Sequence, residues 1–191
     1  MSINGAPTES LSLKSVEVAT ADGNDNTLDL SSIDSELLIR VVGNNKTEIL
    51  RNTATAGQEP VWSKIFTASG FQNVTGGQKN NYFVIGKEAS LTGTVTGIGG
   101  HNVLSYAATF TDPLAPNWQI ASQAATFSTN VTIAPTANPA TFSVLDLYGI
   151  KNIQAIVGGP KNDSFTGTDA ADIFIGGAGN DTFDGGAGSD T

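Results

Sequence analysis

An all-β chain, wound as a coil of short strands joined by glycine turns, is the fold class this sequence predicts, and three observations carry it. From Gly158 onward the chain divides without gaps into nonapeptides. A longer segment upstream repeats part of the same pattern. The composition, 22 glycines with 39% apolar and 14% charged residues among 191, suits turns and β-branched strands better than the glycine-free runs of a helix bundle.

The nonapeptides read GGPKNDSFT, GTDAADIFI, GGAGNDTFD and the incomplete GGAGSDT. Their sixth positions are Asp163, Asp172, Asp181 and Asp190, and their eighth positions are Phe165, Phe174 and Phe183. A fixed period of this kind is the mark of a repeat architecture. Upstream, FQNVTGGQKNNYF (71–83) matches IQAIVGGPKNDSF (153–165) without a gap, with Gln, Gly, Gly, Lys, Asn and Phe identical. LIRVVGNNKTEIL (38–50) is a fainter copy, in which Gly43 and Lys46 keep their places. GIGGHNVLS (97–105) and ADGNDNTLD (21–29) resemble single units with Asn102 and Asn26 at the sixth position. The turn-strand unit is therefore expected throughout, with aspartate only in the last copies.

Between the units lie strand-like stretches such as SLTGTVTGI (90–98) and FSVLDLYGI (142–150), alternating and rich in β-branched residues. Residues 111–141, with Pro113, Pro116, Pro135 and Pro139, break the pattern and are expected to form an excursion, with a strand at 125–133. Residues 52–60 look like a shorter one. Helix content should be low, and the best helix candidate is SSIDSELL (31–38), with a serine cap and an acidic first turn. Two regions follow: a β-rich one over 1–150 containing the excursion, and the repeat array over 151–191.

Nine basic against eighteen acidic residues give a net charge of −9, which repels polyanions and attracts cations. Neither nucleic-acid binding nor membrane insertion is expected; no run approaches a membrane span. With no cysteine and the single histidine His101, thiolate zinc, HExxH sites and His-based triads are excluded. Residues 1–20 show no basic start followed by an apolar stretch, so no ordinary signal peptide is expected there. The Asn-X-Ser/Thr triplets at Asn45, Asn73, Asn130, Asn162 and Asn180 are read as coincidence in a chain rich in Asn and Thr.

The spacing of the last units points to a metal. Glycines permit the positive φ of tight turns and close approach of neighbouring backbones, and such turns direct carbonyl oxygens inward. If successive nonapeptides form opposite sides of a flattened coil, Asp163 stacks on Asp181 and Asp172 on Asp190, about 4.8 Å apart. Two carboxylates at that spacing repel by roughly 3 kcal/mol at an effective dielectric near 20. A divalent cation reverses the sign, and carboxylates with carbonyls supply the six to eight oxygens that Ca²⁺ prefers. The predicted ligating set is Asp163, Asp172, Asp181 and Asp190, with Asn180 and the turn glycines Gly158, Gly159, Gly167, Gly176, Gly177, Gly179, Gly185, Gly186 and Gly188, holding two or more Ca²⁺ ions. Residues 162–191 contain six acidic and no basic residues, so metal binding should be coupled to folding there.

GGAGNDTFD and GGAGSDT resemble the RTX (repeat-in-toxin, haemolysin-type) nonapeptide G-G-x-G-x-D-x-U-x. The flanking pattern is similar to β-solenoid regions of very large bacterial RTX surface proteins and adhesins. The resemblance implies a right-handed parallel β-solenoid or β-roll with calcium-binding turns at its C-terminal end. It also implies export in an unfolded, low-calcium state and folding outside the cell. Pro160 and Lys161 depart from the motif in the first unit, as do Thr168 and Ala170 in the second, and the lysine should weaken its site. Upstream, Asn81 and Asn102 replace Asp, and those turns are expected to be metal-free. The last unit is incomplete, so the chain is expected to be cut from a longer array.

Several residues have plainer readings. Phe165, Phe174 and Phe183 are an interior stack, Asp169 and Asp184 solvated charges, His101 a turn residue, and Trp62 and Trp118 covers for an end or face. Nothing in the spacing brings Asp146 and Glu88 together as a catalytic pair. The expected function is a calcium-binding structural or interaction module of a secreted, surface-associated bacterial protein (adhesin, surface-layer or fibre component), with a glycan or cell-surface ligand or self-association into a fibre or array. The alternative is a fragment of a polysaccharide-acting lyase, epimerase or hydrolase. No catalytic residues and no organic cofactor are assigned. The Thr-rich face of SLTGTVT, with Thr94 and Thr96 on one side, leaves carbohydrate or ice binding as a sub-case.

Overall fold

A computed structural model describes residues 2–3, 18–86, 89–107, 109–111, 119–121, 130–132, 149–151, 153–160, 162–167 and 169–191. Among these the structure is all-β, with no helix. The first strands are β1 (Ser2–Ile3), β2 (Val18–Thr20), β3 (Thr27–Asp29), β4 (Leu37–Gly43), β5 (Lys46–Asn52) and β6 (Trp62–Ser69). Then come β7 (Asn73–Thr75), β8 (Asn81–Ile85), β9 (Thr94–Thr96) and β10 (Asn102–Ser105). Three short strands follow, β11 (Thr109–Thr111), β12 (Gln119–Ala121) and β13 (Asn130–Thr132). The chain continues with β14 (Gly149–Lys151), β15 (Ala155–Val157), β16 (Ser164–Thr166), β17 (Ile173–Ile175) and β18 (Thr182–Asp184).

Successive strands alternate between ladders. One runs β3-β7-β9-β14, all parallel, and the other β4-β8-β10-β15-β17, also parallel. A third parallel ladder, β13-β16-β18, carries the second and fourth C-terminal strands. Identical registers pile like residues into columns. Ile39, Phe83, Leu104, Ile156 and Phe174 lie in register on the second ladder, and Leu28, Val74 and Val95 on the first. These side chains form the main core with Phe165, nearly all of them fully buried. Each three-residue strand needs only one apolar residue at its centre, because its outer two face away from that core.

The second ladder is buried on both faces. Leu38, Tyr82, Val84, Val103, Ala155 and Val157 form a second cluster on its other side, against which Trp62, Ala107 and Ile173 pack. Trp62 meets the Tyr82 ring edge-on at 5.8 Å, so this tryptophan covers a face, as expected. Trp118, Glu88, Asp146 and most of the 111–141 excursion lie outside the described residues, as do Lys161 and Thr168.

Two expectations are corrected. Residues 31–38 do not form a helix. Ser31 donates to the Asp29 carboxylate at 2.9 Å and Ile33 to the Leu30 carbonyl at 2.9 Å, making turns that lead into β4. Eight residues form too few helical bonds to persist alone, whereas turn and strand bury Leu30, Ile33 and Leu37.

The faint copy at 38–50 is not a coil turn. It is an antiparallel hairpin, β4 against β5, which β6 extends antiparallel. Only Asn44 and Asn45 join β4 to β5, and Asn45 is left-handed with φ 49°. Two residues close a hairpin but cannot cross to another ladder; the matching segment uses five residues, GGQKN, for that crossing. The eight-stranded sheet is consequently mixed rather than parallel throughout.

Candidate functional site

At the C-terminal end four turns join β15 to β16, β16 to β17, β17 to β18, and β18 to the last residues. In GGAGND, Gly177 (φ 94°) and Gly179 (φ 130°) are left-handed, which a side chain disfavours. Gly186 and Gly188 repeat the conformation one unit later. Gly158 is needed for proximity instead: a Cβ there would strike the Gly176 carbonyl and the Asp163 carboxylate.

The two columns foreseen from the nonapeptide phase are present. Ser164 pairs with Thr182 and Phe165 with Phe183, which sets Asp163 beside Asp181, and the Asp163 amide donates to Asp181 Oδ1 at 2.9 Å. On the opposite edge the Asp172 amide donates to Asp190 Oδ1 at 3.1 Å. Asp163 and Asp172 are buried, 2% and 3% exposed; Asp181 is half-buried and Asp190 exposed. Asp163 Oδ2 also accepts from the Gly159 amide at 2.9 Å, closing its own turn.

Oxygens crowd each turn. A Cβ on Gly167 would meet the Gly185 carbonyl and Asp172 Oδ2, one on Gly176 the Asp181 carboxylate, and one on Gly185 the Asp190 carboxylate. A Cβ on Gly177 would likewise meet the Gly159 carbonyl, and one on Gly188 the Ala170 carbonyl. These glycines therefore lie against carbonyl or carboxylate oxygens of their own or the neighbouring turn, with no room for a methyl group. Among the described residues no three His, Cys, Asp or Glu side chains gather at one point. A cation here needs a mixed donor set, which suits the hard, oxygen-rich preference of calcium.

Asn180 is exposed, and its amide donates to Asn162 Oδ1 at 2.9 Å, 18 residues back. Asp169 and Asp184 are exposed, as expected. Phe165, Phe174 and Phe183 stack with centroids 5.4–6.0 Å apart, from buried Phe165 to Phe183 at 48% exposure. His101 Nε2 lies 3.2 Å from the Tyr82 hydroxyl.

Residues outside the predicted set continue the columns. Asn81, Asn102 and Gln154 occupy the same register as Asp172, since Asn81 aligns with Asn102 and the pairings of β10, β15 and β17 carry that alignment forward. Gln154 Oε1 accepts from the Asn102 amide at 2.8 Å, and Gln72 Oε1 accepts from the Asn26 amide at 2.8 Å. The two glutamines are the identical residues at 72 and 154 of the long repeat, so their shared task is signalled by that match rather than by any acidic side chain.

The family model of the RTX calcium-binding nonapeptide repeat matches the chain, in four copies, at residues 157–191. No curated protein matches the chain, and no solved structure does.

Proposed function

Taking as premise a chain that carries RTX calcium-binding repeats, we propose that its C-terminal end is a β-roll that binds two or more Ca²⁺ ions and folds as it binds them. The single observation behind this reading is the coincidence, at one nine-residue phase, of stacked aspartates with turns whose glycines let carbonyl and carboxylate oxygens approach closely. Asp163 with Asp181, and Asp172 with Asp190, would hold the ions together with carbonyls of Gly158, Gly159, Gly176, Gly185 and Ala170. Bound calcium supplies positive charge that neutralises the paired carboxylates. The chain's own part is to keep the oxygens converging and the Phe165–Phe174–Phe183 stack in place beneath them.

On this reading the alternating parallel ladders form one β-solenoid, and the module is structural rather than catalytic. RTX repeat proteins are typically secreted, and millimolar extracellular calcium then acts as the folding signal. An adhesin, surface-layer or fibre component fits that behaviour. Thr94 and Thr96, both half-buried, flank buried Val95, with the Thr94 hydroxyl donating to Asn73 Oδ1 at 3.0 Å, and this hydroxyl-bearing strand would be the face offered to a glycan or cell-surface ligand.

Circular dichroism with thermal unfolding in EDTA and in millimolar calcium tests the coupling. The unfolding midpoint is expected to rise with calcium and not with equimolar magnesium, whose stricter octahedron fits carbonyl cradles poorly. Superimposable melts in EDTA and calcium would refute it.

A further inference from the structure

In the upstream turns a side-chain nitrogen sits where the downstream turns direct a carboxylate oxygen. Asn81 Nδ2 lies 3.1 Å from the Gly77 carbonyl, 2.8 Å from that of Lys79, 3.4 Å from that of Gly99 and 2.8 Å from Asn102 Oδ1. Four oxygens from two successive coils therefore surround one NH₂ group. Asn26 Nδ2 repeats the arrangement, 3.1 Å from the Asp22 carbonyl, 3.2 Å from that of Gly23 and 3.2 Å from that of Gly70. All but the longer Gly99 contact suit N–H donors, at about 2.7–3.2 Å, and every one exceeds the roughly 2.3–2.6 Å of calcium ligation.

The long repeat isolates the difference. Gly77 and Gly159 are equivalent, as are Asn81 and Asp163, and both side chains accept the amide of that glycine through one oxygen, at 2.7 Å and 2.9 Å. Asn80 and Asn162 are equivalent too, and each accepts the backbone amide of the next coil, from His101 at 3.1 Å and from Asn180 at 2.9 Å. The backbone plan is shared. At the second atom of the sixth-position side chain, a donor NH₂ stands upstream and an acceptor oxygen downstream. An amide satisfies a carbonyl cage by itself, whereas a carboxylate adds negative charge to it and calls for a cation.

We propose that the Asn81 turn, with Asn26 and the Asn102–Gln154 rungs, is a self-filled cation cage. The amide nitrogen takes the place of calcium, so that strands β7 to β10 hold their register without metal and present a preformed edge to the calcium-dependent coils. Gln154 is the junction, bonded to Asn102 on the amide side and in register with Asp172 on the carboxylate side. The inference rests on the calcium reading for the downstream coils, and its test separates the two.

Hydrogen exchange by mass spectrometry on the intact chain, in EDTA and in millimolar calcium, gives the first result. Protection of residues 81–85 and 102–105 should agree within about twofold between the two buffers. Protection of residues 164–166 and 173–175 should fall at least tenfold in EDTA. Loss of protection in both regions would overturn the self-filled cage; retention in both would overturn the downstream calcium reading instead.

The second result comes from Asn81→Asp. In EDTA this variant should lose at least tenfold protection over 81–85, or fail to fold, and calcium should restore it. Asn81→Ala should lose protection equally in both buffers. An Asn81→Asp chain that matches the native one in EDTA, or that calcium does not rescue, would contradict the proposal.

Discussion

On the calcium reading, the Asp163 carboxylate, buried beside Asp181, calls for a positive partner that a neutral amide would not need. The substitution Asp163→Asn should therefore change sign with the buffer. In EDTA it removes one partner of a repelling pair, a term of roughly 3 kcal/mol before screening, and the unfolding midpoint should rise. In millimolar calcium it removes a ligand, and the midpoint should fall, with affinity reduced at least tenfold by calorimetry. A midpoint that moves the same way in both buffers would count against the carboxylate's assigned role. Gly176→Ala makes a complementary test. Its Cβ would run into the Asp181 carboxylate, so calcium affinity should drop although no ligand has been removed.

Within the strands, the cost of a substitution follows burial. Phe165 is 1% exposed at the base of the aromatic stack while Phe183 is nearly half exposed, so Phe165→Ala should cost about 3–5 kcal/mol and Phe183→Ala clearly less, measured by denaturant unfolding in calcium. In the hairpin, Thr47 is fully buried opposite Ala68, and its hydroxyl has no hydrogen-bond partner. Thr47→Val keeps the shape and removes the stranded hydroxyl, which should stabilise the chain by about 1 kcal/mol.

The same hairpin carries an ion-pair network, with Glu48 bonded to Arg40 at 2.6 Å and to Lys64 at 3.0 Å. Burial pulls the Glu48 carboxyl upward, but the Lys64 hydrogen bond and the Arg40 and Lys64 charges outweigh it and hold the pKa below its ordinary 4.5. The folded form binds this proton less readily than the unfolded one, so the contribution is present above pH 4.5 and lost as pH falls below it. Unfolding measured against pH should show Glu48→Gln narrowing the gap to the native chain in that acid range, by a few tenths of a kcal/mol for a solvent-accessible network.

At the scale of the molecule, the described turns with Asn at the sixth position and those with Asp share one hydrogen-bonding plan, and what could be read from the sequence follows that division. The nonapeptide phase placed Asp163 on Asp181, Asp172 on Asp190 and Phe165 on Phe183, because a nine-residue period fixes which residues share a column. It could not place Asn81 against Asn102 and Gln154, since the chain between those rungs varies in length and only pairing sets their register. At 38–50 the match of Gly43 and Lys46 to the repeat points to a further repeat unit, while the length of the link, two residues against five, decides for a hairpin. The helix expected over 31–38 lost to Leu37 and Leu38, whose pairing with Asn81 and Tyr82 belongs to a distant part of the chain. Local caps and acidic residues carry no signal of such a partner.

Isothermal titration of calcium into the chelator-stripped intact chain probes the paired carboxylates most directly. Two or more ions should bind, and the double substitution Asp163→Asn with Asp181→Asn should abolish the binding owed to its own column while leaving that of Asp172 and Asp190. Absence of binding at millimolar calcium, or binding unchanged by that double substitution, would contradict the assignment of these carboxylates to a metal.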